Sequence, residues 1–226
     1  MRRPGGSSRP ERKLAVGVAD RHYLPHGPLH LGAMAHRDYC FYFVGQFLSV
    51  CGDWLQSTAM AVVAYHMTGQ STWPALLIVA QFLPSAALSS VGGALADRFP
   101  RRAILLWTQT ALLLLAVGLG LVAVEGRLTL GFMLGMAALS GLIQAIDYPA
   151  RMAFVKNLVG PDDLTSAVGL GALLLNGGRA VGPAIAAGVL SHFGPAQCFF
   201  GNAVSFAFVL LALALIANPG APWRGC

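Results

Sequence analysis

Charged side chains are scarce in this sequence: Asp, Glu, Lys and Arg make up 11% of its 226 residues, less than half the roughly 25% of an ordinary soluble domain. The length would suit one or two soluble domains, but this charge density could not cover the surface of either. Acids are the scarcer sign, nine against fifteen bases. Chemical signatures are missing as well. The chain has no Cys-x-x-Cys pair, no Gly-x-Gly-x-x-Gly after a strand, no phosphate loop and no convincing Ser/His/Asp arrangement, so nothing argues for an enzyme or a bound cofactor. Of the cysteines, Cys40, Cys51 and Cys198 lie in or beside apolar runs and read as packing residues, while Cys226 is terminal. His22, His26 and His30 repeat at the spacing of a helical metal site. Pro25 and Pro28 would break that helix, and no metal site is expected.

Apolar sequence is what the chain has in excess, with 56% hydrophobic residues and a mean hydropathy of +0.64. A bilayer core about 30 Å thick takes roughly 20 helical residues to cross. Six runs of that order are predicted, at Phe41–Tyr65, Trp73–Ala96, Ala103–Val124, Leu128–Ile146, Thr165–Leu190 and Ala196–Ala217. They are far longer than barrel strands, and a lipid-exposed backbone must satisfy its own hydrogen bonds, so the fold class is all-α.

The basic residues orient these spans. Thirteen of the fifteen fall on one side: seven in the first 37 residues, then Arg98, Arg101, Arg102, Arg151, Lys156 and Arg224. The other side has Arg127, and Arg179 lies inside the fifth span. The positive-inside rule places both termini in the cytoplasm. The same distribution argues against a nucleic-acid partner, since the bases track the ends of apolar runs instead of forming one face. Residues 1–36, rich in Arg, Pro, Gly and Ser, read as a disordered basic cytoplasmic arm with no signal-peptide core. Translation from Met34 is an open alternative. Residues 37–218 form the transmembrane bundle and 219–226 a short cytoplasmic tail.

Between the second and third spans the sequence reads "GGALADRFPRR", with Gly93, Asp97, Arg98, Arg101 and Arg102. This resembles the signature loop of the major facilitator superfamily, with Pro100 where the family usually has glycine. "GQFLSVCGDWLQSTAM", "AQFLPS", "YPARMAFVKNLVGPDDLTSAVGL" and "GGRAVGPAIAAGVL" extend the likeness over residues 37 to 217. Together they resemble the branch of drug and siderophore exporters. The resemblance implies twelve helices in two six-helix halves, each half being two inverted three-helix repeats. This chain corresponds to the N-terminal half.

The resemblance also implies roles. Asp97 and Arg151, at the same ends of the second and fourth spans, are expected to pair as a gate, while Arg98, Arg101 and Arg102 either join that gate or anchor the loop to headgroups. Gly178, Gly182 and Pro183 resemble an antiporter motif, a close-packed and bent helix expected to face a second bundle, with a general helix-packing seam as the alternative. Gly131 and Gly135 read as an ordinary packing seam. Asp53 and Arg179 fall near mid-span, where a charge on an isolated helix costs several kcal/mol. Either they form one buried pair, or Asp53 serves proton coupling while Arg179 attracts substrate.

The expected function is membrane export of a small amphipathic compound by proton antiport, in a bacterial inner membrane. The expected partners are that small-molecule substrate, lipid, and a second six-helix half, from another copy or a separate chain. The alternatives are a non-transporting truncated fragment and a membrane interaction or scaffold protein. The ending "ANPGAPWRGC" follows the sixth span without a long linker, which favours truncation or a frameshifted product.

Overall fold

Each expected span is a helix in the computed structural model, which describes residues 32–160 and 163–216. The helices are α1 (Arg37–Thr68), α2 (Thr72–Arg98), α3 (Arg101–Val124), α4 (Leu130–Val159), α5 (Leu164–Phe193) and α6 (Pro195–Leu215). All six are long and apolar enough to cross a membrane, and the described residues include no strand. The all-α expectation holds. His22, His26, His30, the residues before Gly32 and the tail after Ile216 lie outside the described residues.

Most helices overrun their apolar runs. The 32 residues of α1 measure about 48 Å at 1.5 Å per residue, well beyond a hydrocarbon core of about 30 Å. The largest overrun is in α4, which continues to Val159, thirteen residues past its expected end at Ile146. Arg151 and Lys156, expected in a connection, are therefore helical. One further departure lies before α1. Gly32–Ala35, expected in a disordered arm, forms a 3-10 turn with Ala33 fully buried.

Helix ends follow local chemistry. Gly69, Gly126, Gly160 and Gly194 all take positive φ, the conformation that lets a chain leave a helix and that glycine alone adopts without strain. At Gly69 the N–H bonds the Tyr65 carbonyl, closing the last turn of α1. Thr129 opens α4 by accepting the Phe132 N–H on its hydroxyl.

Packing is symmetric between the two halves of the bundle. α2 lies along α4 as α5 lies along α1, and α1 meets α6 as α4 meets α3. Exchanging α1–α3 for α4–α6 reproduces the set. The repeats are inverted, because α1 and α4 run in opposite directions: Tyr42 stacks edge-on against Phe154 at one end, while Met60 and Met133 share an apolar cluster at the other. The first end carries Arg98, Arg101 and Arg102 and is called here the basic end.

Two apolar clusters close the bundle, one around Leu105, Phe154 and Leu213 at the basic end, the other around Leu55, Leu119 and Phe199. A polar layer lies between them. α2 and α5 sit at the margins and leave large apolar side chains exposed, among them Phe82 and Leu83 on α2 and Val168 and Leu173 on α5.

Candidate functional site

The polar layer is built from two stripes. On α1, Tyr42, Gln46, Ser49, Asp53 and Gln56 recur at helical spacing of three and four, and on α4 Ser140, Gln144, Asp147 and Arg151 do the same. That spacing puts each set on one face. Apolar surroundings give these groups few partners, so where their bonds go decides what the layer can do.

Asp147 is the best-held member. Its Oδ1 accepts from Thr108 Oγ1 at 2.6 Å and Gln109 Nε2 at 2.9 Å, both from α3. Its Oδ2 pairs with Arg151 one turn along α4. The pair is buried, with side-chain exposures of 1% for Asp147 and 14% for Arg151. The expected Asp97–Arg151 gate is therefore not formed. Asp97 is exposed at the end of α2 and makes no ion pair among the described residues. The reason is the extra length of α4, which keeps Arg151 helical and within reach of Asp147.

The loop arginines also have partners. Arg101 donates to Asn157 Oδ1 at 2.8 Å and the Ala153 carbonyl at 3.3 Å, near the end of α4. Arg102 donates to the Leu213 carbonyl at 2.6 Å, at the end of α6. Arg102 places positive charge where the carbonyls of α6 run out of partners, while Arg101 adds a bond to a carbonyl inside α4 and to a side-chain amide. They tie the start of α3 to α4 and α6, whereas Arg98 is exposed. Gly93 has open space where a Cβ would stand.

Asp53 and Arg179 do not meet. Gly178 and Gly182 form the face of α5 that packs on α1, and Arg179, rotated off that face, is exposed with its guanidinium 5.6 Å from the Trp54 ring centroid. This is cation–π range. Asp53 turns the other way and lines a small cavity with Gln56, Ser57, Gln81, Ser140 and Gln144. The cavity is about 20 Å³, measured as the space open to a water centre, enough for about one water molecule. Asn202 Nδ2, on α6, donates to Gln56 Oε1 at 3.0 Å.

The glycine expectations need two corrections. A Cβ on Gly178 would strike the Val50 side chain, and one on Gly182 would strike Trp54 Cβ and approach the Cys51 carbonyl oxygen to 2.9 Å. These glycines, with half-buried Pro183 beside them, seat α5 on α1 within this bundle: the packing-seam alternative holds, and the face they form is not turned to a second bundle. Gly131 and Gly135 have nothing within 4 Å of a Cβ and form no seam. The counterpart of the α1–α5 contact is the α2–α4 contact. There a Cβ on Gly92 would fall on the Ala145 carbonyl oxygen and one on Gly141 on that of Gln81.

The profile of the transmembrane secretion effector family, a major facilitator group, matches residues 30–220. The chain belongs to that family. It is 26% identical over 180 residues to the staphyloferrin A transporter of Staphylococcus aureus (77% of this chain, 45% of that one). It is 30% identical over 185 residues to the enterobactin exporter EntS of Citrobacter koseri (80% and 43%). An uncharacterized MFS-type transporter of Bacillus subtilis, YfiS, is 26% identical over 162 residues (71% and 38%). The chain thus spans less than half the length of these curated relatives. No solved structure matches significantly.

As a major facilitator protein this chain is a multipass membrane protein, and its polar layer is the feature that apolar packing cannot explain. The sequence reading missed Asp147, Thr108, Gln109 and Asn202. The available signal was the run Ser140, Gln144, Asp147, Arg151 at helical spacing, an acid four residues before a base.

Proposed function

We propose that the chain is the N-terminal half of a proton-coupled exporter of small amphipathic compounds, set in a bacterial inner membrane with both termini in the cytoplasm. Thirteen of fifteen basic residues on one side support that orientation. The relatives are named for moving staphyloferrin A and enterobactin, and we extend small-molecule transport of that kind to this chain. Transport needs a second six-helix unit, since alternating access in this fold is one bundle rocking against another around a midplane site. The exposed apolar faces of α2 and α5 are where that unit would sit.

The observation that carries the coupling is the state of Asp53. It lies at mid-span on a cavity lined by neutral amides and hydroxyls, Gln56, Ser57, Gln81, Ser140 and Gln144, with no ion pair among the described residues. Asp53 has no ion-pair partner to hold it in one state, whereas Asp147 is committed to Arg151. Asp53 is the coupling residue in this reading and Asp147 a structural one. Arg179, exposed beside Trp54, is placed to draw polar substrate groups towards the bundle. The test is uptake of enterobactin into everted vesicles carrying the chain with a C-terminal six-helix half. Asp53→Asn should abolish gradient-driven uptake yet retain exchange between labelled and unlabelled enterobactin. Loss of both activities in a folded variant, or retention of both, would refute the assignment.

A further inference from the structure

Between α1, α4 and α5 at the basic end lies a groove of about 270 Å³, lined mostly by apolar surface and by the rings of Tyr39, Phe43 and Tyr148. Among the described residues, six buried side-chain polar atoms lack a hydrogen-bond partner, and three of them belong to residues of this groove: Tyr42 Oη, Gln46 Nε2 and Arg151 Nε. Tyr42 and Gln46 are each 3% exposed. All three atoms can donate a hydrogen. An unpartnered buried donor costs about 1–3 kcal/mol, so three around one groove form a costly arrangement unless an acceptor enters it.

Two further facts define the acceptor. Arg151 already gives Nη2 of its guanidinium to Asp147, which fixes the side chain and leaves Nε as a buried, unpartnered donor. Tyr42 is likewise fixed, its ring held edge-on against Phe154 at 5.5 Å between centroids. The donors are thus held in place before any ligand arrives, and the neighbouring rings offer an apolar bed for its body. Resting on the transporter reading above, we propose that this groove is a substrate subsite for compounds bearing an anionic oxygen, such as a carboxylate, on an aromatic or apolar body. The oxygen accepts from Tyr42, Gln46 and Arg151. A cationic ligand of the same shape would meet three donors and is disfavoured.

The test is direct binding to the purified chain in detergent, which does not depend on transport and so can fail separately from the exporter reading. The probes are 2-naphthoate and 2-naphthylmethylamine, measured by equilibrium dialysis. Naphthoate should bind at least about tenfold more tightly, the worth of one hydrogen bond to a charged group. Tyr42→Phe and Gln46→Leu should each cost naphthoate about tenfold while leaving thermal stability unchanged or higher, because each removes an unpartnered donor. Trp107→Phe, on the outer face at 78% exposure, should bind like the wild type. Equal or absent binding of the two probes, unchanged naphthoate affinity in both variants, or a marked loss of stability on removing either donor would overturn the proposal.

Discussion

Replacing Gly141 by alanine tests the packing account at one atom. In an open helical position the change gains about 0.5–1 kcal/mol, because glycine gives up more backbone freedom on folding. At Gly141 the new methyl would fall on the Gln81 carbonyl oxygen, with the carbonyl carbon 2.9 Å away. That neighbour is backbone and cannot rotate aside, so α2 and α4 must separate, an overpacking cost of about 1–3 kcal/mol. The net expectation is a loss of about 1–2 kcal/mol. Gly135, on the same helix, has nothing within 4 Å, and Gly135→Ala should instead gain up to about 1 kcal/mol. Unfolding in mixed micelles of rising SDS fraction, followed by far-UV circular dichroism, measures both. Shifts of the same sign for the two variants would refute the α2–α4 seam.

Arg151→Met should destabilise the bundle by about 3–5 kcal/mol, since it leaves the Asp147 carboxylate buried without its cation; the double variant Asp147→Leu with Arg151→Met should recover most of that in the same titration. Asp53→Asn and Arg179→Leu should act additively on stability, with a coupling below about 0.5 kcal/mol in a double-mutant cycle. A coupling well above that would restore the ion pair that the structure does not show.

The fold was legible because hydrophobic runs of about twenty residues admit one backbone solution in lipid. The inverted repeat came from resemblance, and the packing pattern bears it out. The site was harder to read. Asp147 was lost because the fourth span was ended at the last apolar residue before a charge, while the helix runs on through a charge pair that neutralises itself. Glycine seams were unreadable for a different reason. Gly131 and Gly135 have the same spacing as Gly178 and Gly182, yet only the second pair meets a neighbouring helix, and the neighbour lies more than a hundred residues away in sequence. Arg101 and Arg102 were recognised as important, but their targets are carbonyls of α4 and α6, which no local pattern reveals.

The central claim is that this six-helix unit transports only as half of a pair. The measurement is gradient-driven uptake of the proposed cargo, with enterobactin as the probe, into proteoliposomes holding the chain at a verified monomeric density and then with a C-terminal six-helix half added. The account predicts no uptake by the monomer and uptake that appears with the added half or on dimerisation. Gradient-driven uptake by the demonstrated monomer would contradict it.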